Sequence, residues 1–185
     1  MMDIEELSKP SLLEVIKQKQ DEFYEKSGKN FFFKKSQKEE CAKFISSHYS
    51  LTDLIQSTLV VDQELNQIIF HYLVFKLYVN PDNYKILIHY MIQTFSECSR
   101  SSKFTLILDV DSITPTALER YSYFIGEYRR QYDAFKETYA PGSDYSSNIK
   151  KIRIVNVNSY FENFKSIIRP FCEVDVYNKI EFVGK

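Results

Sequence analysis

Asp109-Val110-Asp111 is the group in this chain best placed to do chemistry. It follows Phe104-Thr105-Leu106-Ile107-Leu108, a continuous apolar run of strand character, so both carboxylates fall at the C-terminal end of a strand. Two carboxylates there can bind Mg²⁺ and support phosphoryl transfer. A phosphatase of the Asp-x-Asp-x-Thr/Val type needs Thr or Val at the fifth position. Ile113 stands there instead, and Thr114 comes one residue late. The plainer role for Asp109 is to accept backbone N–H groups and order the strand-to-helix turn, with Asp111 solvated.

The rest of the chain offers little catalytic chemistry. His48, His71 and His89 do not stand at metal-ligand spacing such as HxxxH or HExxH, and they read as packed or surface histidines. Glycines at 28, 126, 142 and 184 cannot form GxGxxG or GxxxxGK, which argues against dinucleotide and P-loop chemistry. No GxSxG elbow is present. Cys41, Cys98 and Cys172 are dispersed and form no CxxC pair, so they read as reduced structural thiols in a cytosolic setting. No catalytic residue, metal site or cofactor is expected.

Composition narrows the partners. The net charge of -1 gives no general attraction to nucleic acid or to an anionic membrane. No nucleic-acid partner is expected, and Arg129-Arg130 and Lys150-Lys151 read as solvated local pairs. The stretch NFFFKK at 30–35 reads as a short strand or core segment. Contact with a membrane surface is its alternative, because aromatics favour the interface and lysines favour anionic head groups. The bias toward Lys, Asn, Ile, Tyr and Phe suits an A/T-rich coding genome, such as that of some large DNA viruses or protists.

The elements that position these residues follow from periodicity and punctuation. With 185 residues, 44% of them hydrophobic, the chain suits one folded domain with an N-terminal arm. The first eight residues are acidic and unlike a leader, and 67–79 is too short to span a bilayer, so a soluble cytoplasmic protein is expected. Pro10-Ser11 starts a helix that ends near Ser27-Gly28, and a second helix covers 37–47. Ser57 to Val61 reads as a strand, and Asp62 as the cap of a helix running to Tyr78. After Asn80-Pro81-Asp82 a further helix covers 84–97. The 104–108 strand, apolar throughout, reads as covered on both faces. Thr114-Pro115 opens a helix whose stripe of Leu118, Tyr121, Phe124, Ile125, Tyr128, Tyr132 and Phe135 faces a core. A strand at 152–155, an amphipathic helix at 159–171 and a strand at 180–183 follow. This order predicts an α/β fold with a mostly parallel sheet flanked by helices.

Residues 104–184 resemble a CRAL-TRIO lipid-binding domain. The family reads as apolar strand, Asp, two residues, Gly, an apolar residue, then Ser or Thr. Asp109, Ile113 and Thr114 match, and Ser112 stands where that Gly would be. Tyr139-Ala140-Pro141 resembles its Tyr-Pro loop. Asn156-Val157-Asn158-Ser159-Tyr160-Phe161 resembles Asn-Ala-Pro-x-x-Phe, Arg169-Pro170-Phe171 resembles Lys-Pro-Phe, and Lys179-Ile180 resembles Lys-Ile. The resemblance implies a CRAL-TRIO-like α/β domain over 51–185; residues 1–50 read as an N-terminal helical arm in which the family's usual helical bundle is not recognisable. The resemblance also implies a non-enzymatic lipid-binding or lipid-transfer module that holds a hydrophobic ligand between the sheet and a gate-like helix at 159–171. The gate's apolar face would be Tyr160, Phe161, Phe164, Ile167, Ile168 and Phe171, with Lys179 contacting the head group. Gly142 replaces the family's acidic head-group partner. The expected partners are a hydrophobic small molecule or phospholipid, a membrane surface, or a protein. Two alternatives stand beside this. One is a lipid-free structural or interaction domain, such as a virion or complex component. The other is an Mg²⁺-dependent phosphatase using Asp109 and Asp111, as in the haloacid dehalogenase family. The sulfate-transporter and anti-sigma-antagonist domain shares the strand ending in Asp but accounts less well for the Pro-Phe and Lys-Ile elements.

Overall fold

A computed structural model describes residues 11–29, 32–139, 145–157, 169 and 174–184. Helix α1 (Leu12–Ser27) begins in a capping box: the Ser11 N–H donates to the Glu14 carboxylate at 2.7 Å, and the Glu14 N–H donates to Ser11 Oγ at 3.4 Å. It ends at Gly28, whose φ of 67° is one that a side chain resists. Helix α2 (Lys34–His48) and helix α3 (Leu51–Thr58) follow, the latter capped by Ser50.

The next segment departs from expectation. Residues 62–78 do not form one helix. Strand β1 (Leu59–Asp62) turns through 63–66 into an antiparallel partner, β2 (Gln67–His71), and only then does helix α4 (Tyr72–Tyr78) begin. Asp62 does accept a backbone N–H three residues on, from Leu65 at 3.0 Å, but it closes a hairpin turn rather than a helix. Asn66 takes the left-handed conformation at φ 49°, the place a glycine would usually fill. The β-branched pair Ile68-Ile69 then runs as extended chain.

Helix α5 (Tyr84–Ser101) leaves a buried polar turn. Asn80 and Asn83 both donate from Nδ2 to the Tyr78 carbonyl, at 2.9 and 3.0 Å, so neither buried amide is wasted. Strand β3 (Phe104–Asp109), helix α6 (Pro115–Tyr139), the short helix α7 (Tyr145–Asn148), strand β4 (Ile149–Val157), the short helix α8 (Val174–Tyr177) and strand β5 (Ile180–Gly184) complete the described elements. The fold is α/β, with a five-stranded sheet in the order β1-β2-β3-β4-β5. Only the β1–β2 pair is antiparallel.

Each parallel strand is laid beside the one before it, always stepping the same way. Right-handed crossovers then bring their helices to one face. On that face Ile68, Leu106, Ile152 and Ile154 share a single buried cluster with Phe75 of α4, Ile88 and Phe95 of α5, and Ala117 and Phe124 of α6. Ile16, Cys41 and Ile45, from the stretch expected to form an N-terminal arm, are buried in the same cluster. Burying an Ile side chain contributes about 1.5–3 kcal/mol, so Ile16 and Ile45 each help to hold α1 and α2 against the rest of the fold.

Other readings also change. His71 ends a strand, not a helix, while His89 is exposed on α5. Phe32 and Phe33 form neither strand nor core; they are 93% and 68% exposed, immediately ahead of α2. Among the described residues no helix is long and apolar enough to cross a membrane.

Candidate functional site

The sheet has two unlike faces. Register places Val60, Ile69, Ile107, Arg153 and Glu181 in one row across all five strands, opposite to the core. The next row toward the strands' C-terminal ends holds His71, Asp109, Val155 and Val183. Ile69, Ile107, Val155 and Val183 are half-buried, and none belongs to the core cluster or packs against it. The 104–108 strand is therefore not sealed on both sides: Phe104 and Leu106 are buried, while Thr105 and Ile107 are half-buried on the other face. The apolar residues make a diagonal band from Val60 on β1 to Val183 on β5. Arg153 lies half-buried within it, and its guanidinium makes no hydrogen bond or ion pair to a described residue. Its register neighbour Glu181 is held by Lys151 Nζ at 2.6 Å.

Polar groups close the C-terminal end of this face. Asp109 Oδ1 accepts the Asp111 N–H at 3.2 Å and Asn156 Nδ2 at 2.9 Å, while Oδ2 faces His71 Nδ1 at 3.7 Å. Asp109 thus orders the turn after β3, as its position in the sequence suggests, and also ties β3 to β4. The bulge at Asn156, with φ 60°, turns its side chain toward that carboxylate. Asp111 is half-buried, and its charge acts on Lys76. Ser112 takes φ 58° and accepts Lys76 Nζ at 2.7 Å. Burial pushes the Lys76 ammonium below its ordinary pKa, the Lys17 charge pushes the same way, and Asp111 opposes them. Among the described residues no group of three or more His, Cys, Asp or Glu is arranged to hold a metal ion.

Of the residues expected to meet a lipid, Tyr160, Phe161, Phe164, Ile167, Ile168 and Phe171 lie outside the described residues. Lys179 is described. Its ammonium donates to the Ser146 carbonyl at 2.8 Å, fastening the entry of β5 to α7. One of its three N–H donors is committed there. It is not brought near Arg153 by register, since Ile180, the next residue, pairs with Ile152. Burial raises the pKa of the Cys41 and Cys98 thiols, which disfavours the reactive thiolate. Cys172 lies outside the described residues.

No protein-family model matches this chain, and no curated protein matches it. The second face was missed in the sequence because every position of 104–108 is apolar or nearly so, which hides the period of two. The alternation of charge and apolar residue in Lys151-Ile152-Arg153-Ile154 was the available signal.

Proposed function

We propose that this chain is a non-enzymatic binding module for a lipid-like amphiphile, taken up against the second face of its sheet. The observation that carries the reading is the diagonal band of Val60, Ile69, Ile107, Val155 and Val183. Parallel sheets are almost always covered on both faces, because their crossovers bury them. Here the described helices pack on one face only, so the other is left to a covering group. An acyl chain gains about 25 cal/mol for each Å² of apolar surface it removes from water there. Arg153, half-buried in the band, fits the anionic head of a fatty acid or phospholipid.

Two further features support the reading. Ser112 adopts the left-handed backbone expected of the glycine it replaces in the CRAL-TRIO pattern. The exposed Phe32 and Phe33, followed by Lys34 and Lys35, fit a surface that meets an anionic membrane while lipid is collected or delivered. Asp109 is occupied in ordering a turn, which favours a binding role over phosphoryl transfer.

Native mass spectrometry of the full chain, followed by uptake of a fluorescent fatty acid from vesicles, tests this. The expected result is a lipid-mass adduct, or saturable uptake, that Ile107→Asp abolishes while the circular dichroism spectrum is kept. A chain that carries no lipid and takes up none from vesicles would overturn the reading. It would favour the lipid-free interaction domain, with a protein on the same face.

A further inference from the structure

Arg120, Lys76 and Lys38 gather where the chain leaves the C-terminal ends of β2 and β3. Helix α4 starts directly after β2, and α6 starts after the turn that follows β3. That end of an open α/β sheet is where ligands usually bind. Two tyrosines frame the group. Tyr72 of α4 and Tyr121 of α6 meet edge to face, with ring centroids 6.4 Å apart. Lys76 Nζ lies 5.6 Å from the Tyr72 centroid, and Arg120 Cζ lies 5.8 Å from that of Tyr121. Lys38 of α2 is near enough for its charge to act on Lys76, and for the Arg120 charge to act on it. Tyr72 and Tyr121 belong to the core cluster, so the group lies on the helix side of the sheet. It is apart from the second face and does not depend on the lipid reading.

Its charge is not balanced within the fold. Lys38 and Arg120 make no ion pair with a described residue. Lys76 spends one of three N–H donors on Ser112 Oγ at 2.7 Å. Of the carboxylates, Asp111 acts on Lys76 and none acts on Lys38. Crowding by neighbouring atoms, then the charges of Arg120 and Lys34, hold the exposed Lys38 ammonium below its ordinary pKa. Tyr72 adds a neutral donor. It is 5% exposed, and its hydroxyl makes no hydrogen bond to a described residue. Among the described residues no fully enclosed side-chain polar atom lacks a partner, so this hydroxyl reaches the surface. Burial and Tyr121 raise its pKa while Arg120 opposes them, so the proton stays on, within range of the guanidinium. We infer that this group binds a phosphate dianion, with Arg120 as its fork and Lys38, Lys76 and the Tyr72 O–H as further donors. A doubly charged tetrahedral anion offsets the excess of cations and accepts from three helices at once, which a carboxylate does less well.

Amide-resolved NMR of the full chain tests this with inorganic phosphate and acetate, titrated to millimolar concentration at matched ionic strength. Phosphate is expected to shift the amides of 38, 72–76, 112 and 120–121 saturably, and acetate far less. Lys38→Gln, an exposed change that leaves packing alone, is expected to weaken phosphate about tenfold, as loss of one charge-assisted hydrogen bond would. Arg120→Lys keeps the charge but loses the fork, and is expected to weaken it too. Lys103→Gln, also exposed but just ahead of β3 at the other end of the sheet, is expected to change nothing. Equal shifts from acetate, shifts scattered over the surface, none at all, or a Lys38→Gln protein that binds as tightly as the parent would overturn the inference. Sedimentation with phosphatidylcholine vesicles doped with phosphatidic acid then separates the sources. Vesicle binding that Lys38→Gln removes means a lipid head group, and saturable phosphate without vesicle binding means a soluble phosphate ester.

Discussion

Ile154 and Ile107 stand on neighbouring strands of one sheet, and they face different surroundings. Ile154 is 1% exposed beneath α-helices, while Ile107 is half-buried on the face those helices leave. The cause is topological. Strands added in one direction with crossovers of one hand can cover only one side. The difference teaches that, among the described residues, helices complete a core on one face of this sheet and not on the other. It also divides the residues of the second face into two kinds. Polar groups at its C-terminal end are bonded to one another, and the apolar band is not packed against the core.

The sharpest way to break this comparison is to make the same substitution on both faces. Ile154→Ala should cost about 2–5 kcal/mol, the range for a buried large-to-small change. Ile107→Ala, starting half-buried and outside the core, should cost about 1 kcal/mol. Urea unfolding of the two variants measures both. Equal losses would mean that the second face is as dry as the first, and no ligand would be needed to cover it. If lipid co-purifies, the gap should narrow in the loaded protein, because the ligand then shelters Ile107.

Asp109→Ala tests the second kind of residue, and a smaller effect is expected. It leaves the Asp111 N–H and the Asn156 amide without their acceptor, which should cost about 1–3 kcal/mol. The urea midpoint should fall with an unchanged slope. A variant as stable as the parent would show that the carboxylate is not holding the turn, and would reopen a chemical role for it. Unlike Ile107→Asp, Asp109→Ala should leave lipid uptake largely intact, since it changes the rim of the face and not the apolar band.

How far the sequence foretold these two faces depended on local signals. The capping box at Ser11 and the Pro115 start of α6 mark their helices through backbone chemistry that neighbours cannot overrule. The strands at 104 and 180 were legible from β-branched and aromatic runs between polar breaks. The hairpin at 62–67 was not, for its turn Gln63-Glu64-Leu65-Asn66 holds neither Gly nor Pro. Apolar residues at 68, 69, 72, 73 and 75 satisfy a helix and a strand equally, so periodicity could not choose. That misreading moved His71 onto a helix, away from Asp109. The turn-ordering role of Asp109 was legible because an Asp after a strand acts on backbone two residues on. Its tie to Asn156, 47 residues away, needs the strand order, which no local pattern carries.

The smallest effect concerns the turn that Asp109 orders. Ser112 takes φ 58°, where an L-residue pays about 1–2 kcal/mol for the approach of its Cβ to the backbone. Ser112→Ala and Ser112→Gly both lose the bond from Lys76 Nζ, so that loss cancels when the two variants are compared. Only glycine relieves the left-handed strain, and part of its gain is offset by the greater freedom of an unfolded glycine, about 0.4–1 kcal/mol. Ser112→Gly should therefore be more stable than Ser112→Ala by about 0.5–1 kcal/mol, read as a difference in urea midpoints. If alanine proves equal or better, the backbone here is not held left-handed, and the turn cannot carry Asp111 to the carboxylate as described. The rim of the second face would then be loose, and the division between its fixed polar end and its open apolar band would fail at the point where the two meet.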